Sequence, residues 1–294
     1  MLAHHSSRGI KTASVLPSSL QVSIVTFEPD LPLLERTLDT LAIAIEAAQD
    51  ARVLKTVHVA LVDNSGDRGI AERVMEIARA EFADKPVHLD FLHGHANIGY
   101  GAAHNLVLHG TGADYHLVLN PDAELAADAL VNGVRWLDAH PEAGALTPAV
   151  SDASGRRQYL CKRYPAVFDL MLRGFAPRFV RRLFTRRLER YEMRDVVDAD
   201  PPQEALGVPV MSGAFVLARR DAVDRTGGFD PRFFLYFEDF DWSVRLNEVA
   251  RNAFVPSVTI VHHGGGAARK GWRHVAWFIG SGVRFYTKHG WRWL

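Results

Sequence analysis

The chain has 294 residues, 48% of them hydrophobic, with 34 basic and 34 acidic side chains and one cysteine, Cys161. That is enough apolar chain for one large α/β unit or two small ones, which excludes a disordered polymer, and a formal charge of zero gives no global reason for a nucleic-acid partner. A lone cysteine excludes an intrachain disulfide or a thiolate zinc site and points to a reducing compartment.

Residues 1–19 carry His4, His5, several serines and Pro17, without the unbroken apolar stretch of a secretory signal, and are expected to form a flexible tail. No run of about 18 apolar residues occurs, so no transmembrane helix is expected. The expected location is the cytoplasm, with peripheral contact at the inner face of the plasma membrane left open. From 20 to 150, short β-branched runs alternate with helical periodicity, the signature of βαβ units. The pattern predicts strands over 22–27, 57–62, 87–92, 115–119 and 145–150, and helices over 33–48, 69–82, 101–109 and 126–139. A mostly parallel sheet follows, with ligands expected at the carboxyl ends of its strands.

Residues 151–205 are a basic insertion. Phe179, Val180, Leu183, Phe184 and Leu188 recur there at helical spacing, and Arg178, Arg181, Arg182, Arg186, Arg187 and Arg190 occupy the other faces. Such a helix can lie on an anionic membrane surface or rest exposed on the protein's own core. A third unit, 206–265, contains apolar runs at 208–218 and 254–261. The tail, 266–294, is a helical segment mixing Trp272, Trp277, Trp291 and Trp293 with Arg273, Arg284, Lys288 and Arg292, a composition suited to an interface.

Four segments can carry chemistry. After the strand at 115–119 comes Asn120-Pro121-Asp122-Ala123-Glu124; in extended chain, alternate residues share a side, so Asn120, Asp122 and Glu124 can offer oxygens to one hard divalent cation, Mg²⁺ or Mn²⁺. Asp122 can equally cap the following turn. In 234–242, Glu238, Asp239 and Asp241 stand among aromatic and aliphatic residues, a setting that raises a carboxyl's proton affinity toward that of a general base. The same acids suit a helix N-terminus, and Asp241 can pair with Arg245. Asp63, in Asp63-Asn64-Ser65-Gly66-Asp67 after the second strand, can accept the imide N–H of uracil or thymine, or form an Asx turn. The run from Asn97 through Gly99 to Asn105 allows backbone to approach a ligand, but it lacks the third glycine of a dinucleotide fingerprint and follows the third strand. Last, His262-His263-Gly264-Gly265-Gly266 follows a strand, where an imidazole can complete an oxygen-rich metal site and the glycines can close over a phosphate.

Together these segments resemble family-2 glycosyltransferases, and more narrowly the bacterial rhamnosyltransferase-like branch. The similarity spans about 22–289, through Val22-Ser23-Ile24-Val25-Thr26-Phe27, Val62-Asp63-Asn64-Ser65, the Asn97 to Asn105 run, Leu119-Asn120-Pro121-Asp122, Ser212-Gly213-Ala214-Phe215, Gly228-Phe229-Asp230, Phe233 to Arg245 and the His262 loop. The resemblance implies a GT-A fold, a Rossmann-like α/β architecture with helices on both faces and a smaller acceptor-side portion. It also implies an inverting transfer of a sugar, L-rhamnose or another hexose, from a nucleotide diphosphate donor to a hydroxyl of a cell-envelope polysaccharide or lipid-linked glycan. On this reading 20–150 binds the nucleotide sugar and 206–265 is the acceptor and catalytic half. Carried over by position, Asp239 is the base with Glu238 beside it. Asp63 reads the nucleobase, with Thr26, Phe27, Glu28, Asn97, Gly99, Asn105 and Asn120 around the donor, and Asp122, Glu124 and His262 face the metal. Asn120 stands where many relatives have the first aspartate, and Glu28 where many have asparagine. The first departure motivates a competing expectation, a non-catalytic module that binds nucleotide sugar or glycan through a degenerate metal site.

Overall fold

The computed structural model describes residues 17–110, 112–264 and 271–294. Residues 1–16 of the expected tail, and Gly265 and Gly266 of the glycine loop, lie outside the described residues. The first half alternates strand and helix: β1 (Ser18–Thr26), α1 (Leu31–Asp50), β2 (Leu54–Asp63), α2 (Arg68–Phe82), β3 (Val87–Leu92), α3 (Tyr100–Leu108) and β4 (Tyr115–Leu119). The first two helices start at side-chain caps. Asp30 accepts from the Leu33 N–H at 3.2 Å with Pro32 in the first turn, and Asp67 accepts from Gly69 and Ile70 at 2.7 and 3.1 Å. A turn at Pro121 and Asp122 leads to β5 (Ala123–Leu125), α4 (Ala129–Ala139) and β6 (Ala143–Ser151).

The basic segment contributes β7 (Arg157–Gln158), β8 (Cys161–Lys162), α5 (Val167–Phe175), α6 (Arg178–Leu183), α7 (Thr185–Tyr191) and α8 (Arg194–Val197). The single helix implied by the spacing from Phe179 to Leu188 is thus two. The chain breaks at Phe184, whose ring turns to meet Phe168 edge-on at 5.2 Å, while the Thr185 hydroxyl closes α6 by donating to the Arg182 carbonyl at 2.8 Å. The apolar run at 208–218 also divides. After β9 (Ala205–Leu206), β10 (Val210–Met211) pairs with β8, and β11 (Phe215–Arg219) enters the main sheet. Then follow α9 (Arg220–Thr226), α10 (Glu238–Val249), β12 (Arg251–His262) and α11 (Trp272–His289). Among the described residues no helix is long and apolar enough to cross a membrane.

The main sheet runs β3-β2-β1-β4-β11-β6-β12-β5. Its long pairings, β1 with β2 and β4, β2 with β3, and β6 with β12, are parallel, as expected for this α/β class. β11 lies antiparallel between β4 and β6. Alternation within strands feeds two faces: Leu117 and Leu119 join a core under α1, α2 and α4, while Val118 joins one under α9 and α10. Both faces being covered, β1 from Leu20 onward and all of β4 are buried without a break, including the polar Gln21, Ser23 and His116.

One polar group interrupts this core. The Ser23 hydroxyl lies 2.7 Å from His104 Nδ1 and 3.0 Å from His116 Nε2, both rings fully buried. Burial lowers both histidines, His104 well below its ordinary value with His116 adding to the effect, and His116 to about 3. The unfolded chain therefore binds the protons first, and stability is lost as pH falls below about 6.5, at about 1.4 kcal/mol per pH unit for each histidine. Denaturant midpoints measured from pH 7 down to 5 should fall more steeply for the wild type than for His116→Gln.

Candidate active site

The acidic segment is shaped by the end of the chain. Tyr236 and Phe237 sit consecutively in the left-handed region, at φ +67° and +64°, a strained conformation for bulky residues. Packing holds them there: Phe237 lies in a cluster with Phe233, Phe285 and Tyr286, and Ser281 of α11 donates to the Leu235 carbonyl at 2.9 Å. Asp241, fully buried, ties α10 to α11 by pairing with Arg245 at 2.8 Å, Lys288 at 2.7 Å and His289 at 2.8 Å. Of the three acids, this one is structural.

Asp239 is different. Among the described residues it makes no ion pair; its oxygens accept from the Gly213 N–H at 3.1 Å and the Phe240 N–H at 2.9 Å. Burial pushes its carboxyl up to about 6, and those two N–H groups restrain the rise. Glu238, buried with Oε2 unpartnered, is raised well above the usual carboxylate range by burial and then by the Asp239 charge. Burial thus opposes ionisation more strongly at Glu238 than at Asp239, which is the more readily ionised member of the pair.

The second cluster forms where β5 pairs with β12, setting His262 opposite Ala123. His262 Nε2 lies 3.4 Å from Asp122 Oδ1 and 3.3 Å from Asn120 Nδ2. Gln158 fixes the ring: its amide N–H donates to the His262 carbonyl at 2.7 Å, so its oxygen faces Nδ1 at 3.0 Å and takes the proton there. An unprotonated Nε2 then confronts a carboxylate, and the two repel unless a proton or a cation stands between them. Asp122 Oδ1 is buried without a hydrogen-bond partner, and a Cβ on Gly264 would come within 2.7 Å of His262 Nε2 and 2.8 Å of Asp122 Oδ2. With a proton on Nε2, burial would raise the Asp122 carboxyl, but the His262 hydrogen bond and charge outweigh it and hold the group below its ordinary value. A carboxylate and an imidazole nitrogen are donors that a divalent cation accepts, and among the described residues no three His, Cys, Asp or Glu gather as a metal site.

Glu124 stands outside this cluster. Alternation does not bring it beside Asp122, because Pro121 and Asp122 form a turn instead of extended chain; its carboxylate meets Arg36 at 2.8 Å and His263 at 2.6 Å. Gly99 and Asn105 are likewise taken up by the fold. Gly99, at φ +92°, has its Cβ position filled by the Phe234 carbonyl, and the Asn105 amide clamps Phe229 through bonds of 2.7 and 2.9 Å. Both instead brace the 229–234 segment that leads to Asp239.

The two clusters are joined by a residue whose side chain the sequence reading leaves without a role. The half-buried Tyr100 places its hydroxyl 2.9 Å from Asn120 Oδ1 and 2.8 Å from the Gly213 carbonyl, and Gly213 in turn donates to Asp239. Burial, then the charges of Glu238, Asp239 and Asp122, raise the phenol well above its ordinary value, so it stays a donor. Tyr100→Phe leaves two acceptors short of a proton and should lower stability by about 1–3 kcal/mol in denaturant titrations. Gln158, in a polar turn, gives no sequence signal; Tyr100, flanked by Gly99 and Gly101, gives only a faint one.

At the far end of the same strand edge, Asp63 closes β2 beside Thr26. Thr26 donates to its Oδ1 at 3.0 Å and Ser65 to its Oδ2 at 2.6 Å, while Asn64 reaches the Gly99 carbonyl at 3.2 Å. Phe27 is exposed just beyond, Glu28 turns the chain at φ +46°, and Asn97 accepts from the Gly99 N–H at 2.9 Å.

The family model described as glycosyltransferase like family 2 matches residues 17–274. The N-acetylglucosaminyl-diphospho-decaprenol L-rhamnosyltransferase of Mycobacterium tuberculosis is 30% identical over 267 residues, which is 83% of this chain and 76% of that protein. Two solved structures share the fold. The mannosyltransferase PcManGT of Pyrobaculum calidifontis, in complex with GDP-Man and Mn²⁺, has a TM-score of 0.56 at 19% identity over 91% of this chain and 65% of its own. TarS 1-349 of S. aureus, in complex with UDP-GlcNAc, has a TM-score of 0.54 at 13% identity over 91% of this chain and 66% of its own. The chain therefore spans about two thirds of each of those structures.

Proposed function

The chain belongs to glycosyltransferase family 2, a glycosyltransferase with the GT-A fold, and from that premise we propose that it transfers L-rhamnose from a nucleotide diphosphate donor to a lipid-linked diphosphate glycan, with inversion. The observation that supports the proposal is the hydrogen-bonded path from His262 through Asn120, Tyr100 and Gly213 to Asp239, which links the two acidic segments across the sheet edge. The relative's own substrate suggests the sugar and the class of acceptor.

In this mechanism Asp239 accepts the proton of the acceptor hydroxyl as that oxygen attacks the anomeric carbon. Its raised proton affinity suits the task near neutral pH. Glu238, whose burial favours the protonated form, leaves the charge to Asp239. Asp63, braced by Thr26 and Ser65, accepts from the imide of a pyrimidine base, with Phe27 beside it. Asp122 and His262 would hold Mg²⁺ or Mn²⁺, and Gln158 keeps the imidazole turned toward it. When bound, that ion neutralises the charge of the departing diphosphate.

The test is a panel of UDP-, GDP- and dTDP-sugars, including an L-rhamnosyl donor, incubated with N-acetylglucosaminyl-diphospho-polyprenol and Mn²⁺ and read by mass spectrometry. A product heavier by one deoxyhexose is expected. Transfer of another sugar, or to another acceptor class, replaces the substrate assignment.

A further inference from the structure

α11 packs one face against the acidic loop and α10 and leaves the other open. Trp272, Val275, Ile279 and Val283 recur at helical spacing along that outer face, with Trp272 77% and Ile279 55% exposed. Beside it, α5 completes a wholly apolar groove of about 150 Å³, lined by Val167, Leu170, Met171, Ile279, Val283 and Trp291. Phe237, two residues before Asp239, forms part of the same wall. α6 follows α5 and packs against it, and its Phe179 and Leu183 are 69% and 78% exposed, so the apolar residues of this short helix are not buried in the protein's own core. Arg178, Arg181, Arg182 and Arg186 make no ion pair among the described residues, and α6 contains no acid. Trp291 and Trp293, stacked at 5.0 Å, stand where the chain returns to the start of α5 through the Arg292 and Trp293 carbonyls.

We propose that this face, the outer stripe of α11 with the groove and α6, docks the protein on an anionic lipid bilayer. Its complement must be apolar inside and negative at its surface. An anionic leaflet offers that combination: Phe179, Leu183, Ile279 and Val283 enter the acyl boundary, the tryptophans sit at headgroup level, and the arginines reach the lipid phosphates. The overall charge is zero, so attraction comes from this local cluster and is screened by salt. Because Phe237 belongs to both the docking face and the loop of Asp239, docking brings the catalytic edge to the membrane surface. The inference does not depend on the identity of the sugar or acceptor.

The experiment is cosedimentation of the full chain with phosphatidylcholine vesicles with and without phosphatidylglycerol, at low and high salt, with tryptophan emission as a second readout. Binding only to the anionic vesicles, lost at high salt and accompanied by a blue shift, is expected. The triple variant Arg178→Gln, Arg181→Gln, Arg182→Gln should bind on the order of 100-fold more weakly, about five-fold per arginine. Ile279→Ser with Val283→Ser, an exposed pair outside the cleft, should abolish the blue shift while leaving melting temperature and donor hydrolysis unchanged. Absence of binding at low salt, or wild-type binding by both variants, overturns the proposal. So does a dimer in sedimentation equilibrium that the Ile279 and Val283 pair disperses, which would assign the face to a second copy of the chain.

Discussion

Asp239→Asn is expected to lower sugar transfer by about 10²- to 10⁴-fold while the protein stays folded. In the wild type, kcat/KM should rise with pH through about 6 and level off above it, because the base acts only when deprotonated and burial has raised its proton affinity to that range. The rising limb should vanish in the variant. The stability sign is opposite to that of the histidines: a carboxyl whose folded-state proton affinity is raised costs stability as pH rises through about 6, so Asp239→Asn should melt no lower than the wild type at pH 7 for this reason. Glu238→Gln is the control. It replaces a carboxyl whose burial favours the protonated form by a neutral group of the same shape and should keep most of the activity. Full activity in Asp239→Asn would remove Asp239 as the base; loss in Glu238→Gln equal to that in Asp239→Asn would show that the pair cannot be divided into a neutral and a charged member.

Asp122→Asn should weaken Mn²⁺ binding at least as much as the 10- to 100-fold loss typical of removing an outer partner of a metal ligand, and transfer should fall with it. Gln158→Leu is such an outer substitution, since it frees the His262 ring without touching Asp122. Its effect belongs within that 10- to 100-fold range. Thermal shift under Mn²⁺ titration reads both without a turnover assay, and chelation should abolish transfer by the wild type. Mn²⁺ affinity unchanged in Asp122→Asn would move the ion away from this corner.

Much of the scaffold is legible in the sequence, because the strands of the first half carry β-branched and aliphatic residues and the first two helices between them start at side-chain caps. The strands expected over 87–92 and 115–119 have those bounds in the structure. The raised proton affinity of Asp239 is legible for a similar reason: its aromatic neighbours are also its neighbours in sequence. What local pattern does not encode is where distant segments meet. Nothing in Phe215 to Arg219 says that this strand separates β4 from β6, since four buried apolar residues ending on an arginine fit any interior place in a sheet. The turn at Pro121 defeats the alternation that would enlist Glu124. The contacts of Gly99 and Asn105 with the 229–234 segment are another long-range meeting that local pattern does not announce. Tyr100 and Gln158 act across 113 and 104 residues of chain, a separation no spacing rule spans.

The place of β11 has a bearing on how the molecule is made. Until residue 219 has emerged during synthesis, β4 and β6 each present a bare edge, and no earlier strand pairs between them. The strands of the first half can assemble as soon as they are translated, but the Tyr100 to Gly213 link needs a segment more than a hundred residues later. Maturation of the enzyme is therefore tied to that late closure, with the slow folding and exposure to misassembly that long-range pairing brings.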